Sequence, residues 1–213
     1  YGIDHIKFLM IQEYLDVKKI NKNLIKKTTL LNNLTKKFEN KNIKSKIIFN
    51  IKNLKNLEKN FEDLLTFNEK RLQGAIYTPD YIIDNILQKS FDYTKLNKNS
   101  TFLDPSCGSG AFLINIIKIL LDKKFEFNFI VKSMIYGLDI NDQAIFNSKI
   151  LIELYSLELN KPISSNILNI YKLDFVTNNK NLILKKIGVK KNFDFICTNP
   201  PYIKLQNIDR KTR

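Results

Sequence analysis

The sequence predicts an α/β protein built on a doubly wound parallel sheet, with an α-helical region ahead of it. Three observations predict this. Apolar segments of strand and helix length alternate from residue 101 onward, giving helix–β–α–β–α–β–(α)–β. The stretch Thr101–Leu113, TFLDPSCGSGAFL, reads as strand, tight turn and helix. Finally, Asp104, Asp139, Asp174 and Asn199 all fall at the carboxyl ends of predicted strands, the edge where ligands bind in open α/β sheets.

Residues 1–72 are expected to be a helical connector or support region. Ile6, Leu9, Met10, Tyr14 and Val17 recur at three- and four-residue steps and predict a first helix face. Leu24, Leu30, Leu31, Leu34 and Phe38 continue more loosely, and Asn40–Asn42 reads as a break. Ile47–Ile51 reads as a short strand or a helix start, and Ile51, Leu54, Leu57, Phe61, Leu64, Leu65 and Leu72 trace a further apolar face. No chemistry is legible here, and His5 reads as a surface or packing histidine.

Residues 73–80, QGAIYTPD, open a second domain expected over 73–213. Pro79 holds Thr78 extended, and Thr78 or Asp80 can cap the helix predicted at Tyr81–Tyr93, with Ile82, Ile83, Ile86 and Leu87 on one side. Strand 1 is predicted at about 101–104 and its helix at 110–122, joined through Lys123–Phe129 to a second strand at Ile135–Ile140. Asn141 or Asp142 caps the next helix, whose face includes Ala144, Ile145, Ile150, Leu151 and Leu154. A third strand at Ile167–Phe175, a crossover at 178–188 and a fourth strand at Phe193–Thr198 follow.

The loop after strand 1 is a nucleotide-type crevice unsuited to phosphate. Gly108 and Gly110 supply the first two glycines of G-x-G-x-x-G, but Leu113 stands where the third belongs, and no G-x-x-x-x-G-K-[ST] occurs. Asp104 at its mouth would repel a pyrophosphate and suit a cationic, phosphate-free ligand; S-adenosylmethionine, with a sulfonium and an ammonium, fits. A dehydrogenase fails on both counts. The plain alternative is a glycine turn with no ligand. Asp139 at the end of strand 2 can accept hydrogen bonds from a ribose diol, or simply cap a helix.

Composition narrows the class. The chain has 213 residues, 44% of them hydrophobic, and a mean hydropathy of −0.23. No apolar run reaches the ~18 residues of a membrane span, so no membrane partner is expected; Cys107 and Cys197, far apart in sequence, read as reduced and lead to an expected cytoplasmic location. Because the chain begins at Tyr1, it is expected to be a piece of a longer one. Two cysteines and one histidine cannot build a metal cluster. A net charge of +14 favours a polyanionic partner such as nucleic acid, although lysines scattered at helix spacing also make an ordinary solvated surface.

Strand 4 runs straight into Asn199-Pro200-Pro201-Tyr202. The prolines remove two donors and fix φ, which leaves the Pro200 carbonyl free beside the Asn199 side-chain oxygen. Two rigid acceptors side by side suit an –NH2 group, and Tyr202 offers a stacking face. An ordinary proline turn with a packing tyrosine is the alternative.

The loop and this turn together resemble motifs of the DNA amino-methyltransferases. The match is to the γ-type N6-adenine enzymes of restriction–modification systems, the TaqI-like and type IIG group. It spans roughly residues 73–207: first the Gly74–Pro79 motif, then the loop Asp104–Phe112, Asp139, Asp174-Phe175 and NPPY. The resemblance implies a Rossmann-like class I S-adenosylmethionine-dependent methyltransferase fold, with S-adenosyl-L-methionine as cofactor and double-stranded DNA, its target adenine flipped out, as partner. Tyr77, Thr78 and Pro79 would border the methionine end of the cofactor, and Asp104, Pro105, Ser106, Cys107, Gly108, Gly110 and Phe112 would form its loop. Asp139 would hold the ribose hydroxyls with Ile140 against the adenine; Asp174 would accept from the adenine amino group and Phe175 flank the ring. Asn199 and Pro200 would grip the target amino group within a catalytic turn completed by Pro201 and Tyr202, with Tyr202 stacked on the base.

The family's sheet has seven strands and this chain supplies four, so the later strands and the target-recognition domain are expected on the C-terminal side, and the piece alone is expected to be inactive. A restriction nuclease, fused or separate, is left open. Two rivals remain: a methyltransferase acting on another planar –NH2 (cytosine N4, an RNA adenine, a protein glutamine), and a non-catalytic DNA-binding or specificity-type subunit.

Overall fold

The computed structural model describes residues 2–38, 48–64, 78–189 and 192–200. The chain divides into two compact units, Tyr1–Leu65 with Lys149–Ile167, and Thr66–Ser148 with Leu168–Arg213.

The second unit holds the predicted sheet. Four parallel strands, β1 (Phe102–Asp104), β2 (Ile135–Asp139), β3 (Ile170–Lys172) and β4 (Phe195–Ile196), lie in the order β3-β2-β1-β4. The fold is therefore α/β and Rossmann-like, and the order reverses between β1 and β4, where such sheets open a crevice. β1, β3 and β4 are short, so their side chains alternate only once or twice. Leu103 and Leu138 point to one face and pack with Leu173 and with Ile183 and Ile187 of helix α7 (Lys180–Ile187). Phe102 points to the other face, stacked on Phe195 at 4.7 Å, with Phe91 edge-on to both.

The helices α4 (Asp80–Ser90), α5 (Ala111–Asp122) and α6 (Asp142–Glu158) complete the alternation. Helix α5 is apolar almost all round, with Leu113, Ile117 and Leu120 fully buried, as expected of a helix packed against a sheet. It begins one residue later than expected, at Ala111, because Gly110 with φ +93° turns the chain into it. Asn141 caps α6, accepting from the N–H groups of Gln143 and Ala144.

Several expected boundaries are corrected. Helix α4 ends at Ser90, not Tyr93, because Phe91 adopts extended angles to reach Phe102, and Asp92 caps a separate 3-10 turn, Tyr93–Lys95. Its N-cap is Pro79, which has no side chain to offer, so neither Thr78 nor Asp80 caps it. Its buried side is Ile83 and Leu87; Ile82 is exposed. The third strand is three residues long, not nine. A 3-10 turn at Ser165–Ile167 delays it, and Asp174 takes the N–H groups of Val176 and Thr177 into a local turn that ends pairing. The fourth strand is also shorter than expected, although the ladder continues through Cys197 N–H to the Leu103 carbonyl.

The first unit is helical, with α1 (Ile3–Val17), α2 (Leu30–Phe38) and α3 (Leu54–Asp63). The expected face of α1 is rotated. Its buried residues are His5, Lys7, Phe8, Met10, Ile11, Tyr14 and Leu15, whereas Val17 is exposed. Two polar residues cause this: the Lys7 ammonium sits over the Phe61 ring and His5 packs on Phe38. Ile51 is buried in neither a strand nor a helix; Glu13 accepts the N–H groups of Phe49 and Ile51 and holds the segment ahead of α3. Asn40–Asn42 lie outside the described residues. Among the described residues, no helix is long and apolar enough to cross a membrane.

Candidate active site

Strand β1 delivers the loop. Asp104 ends it and is 1% exposed, its carboxyl accepting the Ser106 N–H at 3.1 Å. Burial pushes this carboxyl up to about 7; the adjacent Thr198 hydroxyl and the Ser106 N–H oppose the rise, and the charge of Asp139 adds to it. The carboxyl expected at the mouth of the loop therefore sits beneath it. Cys107 follows, buried, its N–H on the Leu138 carbonyl at 2.8 Å, its thiol pushed well above its usual range by burial and by Asp104 and Asp139.

The backbone then turns through left-handed angles at Gly108 (φ +52°) and Gly110 (φ +93°). A Cβ on Gly110 would come 2.6 Å from Ser148 Oγ, so this glycine lets the loop lie against α6. Leu113, at the position of the absent third glycine, is fully buried. The close approach that a third glycine usually permits is met from the opposite side: a Cβ on Gly137 of β2 would lie 2.8 Å from Leu113 Cδ1 and 3.1 Å from Cys107 Sγ. Gly137 lies on the facing strand, outside the spacing that a loop motif carries.

Asp139 closes the loop from β2. One carboxylate oxygen accepts the Gly108 N–H and the other the Asn141 N–H, both at 2.9 Å. Each oxygen keeps further lone-pair capacity. Next to it Ile140 is 57% exposed, and Phe175 beyond β3 is 39% exposed. Asp174 is held in its own turn by Val176 and Thr177, and the Thr177 hydroxyl holds its carboxyl below the usual range. Among the described residues it makes no hydrogen bond to another candidate. Pro105 and Phe112 are buried and Ser106 is half-buried.

Strand β4 delivers the turn. Asp194 accepts from both the N–H and the hydroxyl of Thr101, at 2.9 Å each, and clamps the start of β4 to β1. The ladder through Cys197 then carries Thr198 to the level of Asp104 and presents Asn199 just beyond. The Asn199 side-chain Nδ2 donates to Thr78 Oγ1 at 3.0 Å. Pro79 follows Thr78 into α4, and Pro200 is exposed. Tyr77, Pro201 and Tyr202 lie outside the described residues.

One profile spans the whole of this site. The N-6 DNA methylase family matches residues 57–212, from α3 through the loop to the residues past Asn199. The chain belongs to the N-6 DNA methylase family. It is also 31% identical over 142 residues to the Type II methyltransferase M.VspI of Vibrio sp. (strain 343), across 66% of this chain and 28% of that protein. The cryo-EM structure of a DrdV–DNA complex shares the fold, with a TM-score of 0.51 and 23% identity over 70% of this chain and 16% of that one. The chain thus spans 28% of the length of this curated relative.

Fold and family imply S-adenosylmethionine as methyl donor. The residues present fit it. A Cβ at Gly108 would meet nothing within 4 Å, so the loop backbone borders open space. The carboxylate of Asp139 touches this loop, and Ile140 supplies apolar surface beside it, an acceptor and an apolar face suited to a nucleoside rather than to a phosphate.

Proposed function

We propose that this chain carries the cofactor loop and amino-gripping turn of a DNA methyltransferase that modifies N6 of an adenine, in the γ-type arrangement of restriction–modification enzymes. One observation carries the reading. The turn bearing Asn199 and the loop bearing Gly108 leave neighbouring strands, β4 and β1, at the same edge of one sheet, where the strand order reverses. The M.VspI relative, itself a Type II methyltransferase, supports the activity and the restriction context.

In this reading residues 73–213 are the N-terminal part of the catalytic domain and residues 1–72 a helical connector. The recognition domain belongs to the C-terminal side, and the reading holds for a standalone methylase as for one with a fused or separate nuclease. Double-stranded DNA binds the basic protein, and the target adenine leaves the stack at a cost of a few kcal/mol.

When bound, S-adenosylmethionine supplies a methyl group activated by its sulfonium. The protein's part is to hold and orient. Asp139 accepts from the ribose hydroxyls, Ile140 and Phe175 cover the adenine ring and Asp174 accepts from its amino group. Thr78 and Pro79, with Tyr77, border the methionine end. Asn199 Oδ1 and the Pro200 carbonyl accept the two hydrogens of the target amino group, with Tyr202 against the base. Drawing both hydrogens toward neutral oxygens localises a lone pair otherwise delocalised into the ring, so positioning and electrostatics supply the acceleration.

The test is the modified nucleoside. DNA incubated with the full-length protein and cofactor, then digested and analysed by mass spectrometry, is expected to contain N6-methyladenine. N4-methylcytosine or unmodified DNA would contradict the assignment.

A further inference from the structure

The geometry points to Thr78 as a positioning residue that holds the Asn199 amide still, with its carbonyl arm turned toward the target, an inference that rests on the amino-gripping role just proposed for Asn199. A primary amide has two arms of nearly the same shape and opposite chemistry, an acceptor oxygen and a donor –NH2. Only the oxygen can receive a hydrogen from the target amino group. Turned over, the amide would present donors to a donor. The backbone of the turn does not set this, because the two orientations differ only by a half-turn of the last side-chain torsion.

Thr78 anchors the amide in one of them. Its hydroxyl oxygen accepts from Asn199 Nδ2 at 3.0 Å, which commits the –NH2 arm and directs the carbonyl arm away from Thr78. Both partners stand on stiff backbone. Thr78 precedes Pro79, and Asn199 precedes Pro200, so each is confined to extended angles by the ring that follows it. Pro79 is itself anchored as the N-cap of α4, its carbonyl accepting the N–H groups of Ile82 and Ile83. On the other side, the Asp194–Thr101 clamp and the Cys197–Leu103 bond fix the run into Asn199. A hydrogen bond spanning 121 residues thus joins two pre-proline positions, each held by its own element. Such support from a neighbouring rigid element keeps a working side chain in its productive geometry.

Transfer in the full-length protein tests this through Thr78→Val, which keeps the branched shape and removes the oxygen, and Thr78→Ser, which keeps the oxygen and removes the methyl. Single-turnover methyl transfer at saturating cofactor, where any weakening of cofactor binding is removed, is expected to fall about 10- to 100-fold in T78V. T78S is expected to stay within about threefold of wild type, and T78V/N199A to be no slower than N199A alone. A packing role would reverse the two single variants. A role confined to the cofactor would weaken its binding in T78V while leaving transfer at saturation intact. Either result overturns the inference, as does a double variant slower than N199A by the full T78V factor. If N199A is inactive and T78V is fully active, Thr78 fails alone; if N199A transfers at the wild-type rate, the gripping role fails and takes this inference with it.

Discussion

Asp104 is the residue whose surroundings most change its chemistry. It is fully buried beneath the loop, and its carboxyl is pushed up to about 7, first by burial and then by the charge of Asp139. A folded-state value above the unfolded 3.8 means that the native protein holds a proton the unfolded chain releases. Stability therefore falls as pH rises from about 4 to about 7 and levels off above that range. Asp104→Asn keeps an acceptor for the Ser106 N–H and removes the titration. Its thermal stability relative to wild type should rise between pH 5 and pH 8, by on the order of 1–3 kcal/mol, and then stay flat. A constant difference across that range would show that Asp104 is ionised throughout.

At the scale of elements, the helix starts show what the sequence revealed and what it hid. Asn141 was readable as a cap because an N-cap acts on its own next turn, and it accepts from Gln143 and Ala144 as expected. Helix α2 is capped from afar. Glu153 of α6 is fully buried within the first unit and accepts the N–H groups of Thr29, Leu30 and Leu31 at 2.8–3.1 Å, together with that of Ser165 at 2.8 Å. It fills donors that a helix start leaves open and places negative charge at the positive end of α2. Nothing in LIELYSLE distinguishes this glutamate from a solvated one, because the helix start it caps is more than 120 residues away. Glu153→Ala should destabilise the helical unit by about 3–5 kcal/mol and Glu153→Gln by about 1–3 kcal/mol, read by denaturant unfolding. Faster amide exchange at Thr29–Leu31 should accompany the loss, and wild-type stability in the alanine variant would rule the cap out. The strands follow the same logic. Their existence was legible from apolar runs between turn residues. Their ends were not, because Asp174 and Asp194 spend their carboxylates on nearby or cross-strand N–H groups and so decide where pairing stops or starts.

Across the whole molecule, the legible part was the alternation of strand and helix and the placing of polar residues at one sheet edge. These depend on local pattern and on connection rules that hold for any parallel sheet. Proximity was not legible. The Thr78–Asn199 bond, the fit of Leu113 against Gly137 and the burial of Asp104 all come from packing residues distant in sequence. The sheet nevertheless explains why the candidate residues converge. Parallel strands end at one edge, and the order β3-β2-β1-β4 sets the strand bearing the loop beside the strand bearing the turn. In the proposed function this edge works as two separable parts, a loop that holds the cofactor and a turn that reshapes one amino group. The direct measurement is Asn199→Ala in the full-length protein, with single-turnover transfer to DNA and calorimetric cofactor affinity read on the same sample. Transfer is expected to fall by at least about 100-fold while affinity stays within about twofold. Transfer at the wild-type rate, or a matching loss of cofactor binding, would contradict it.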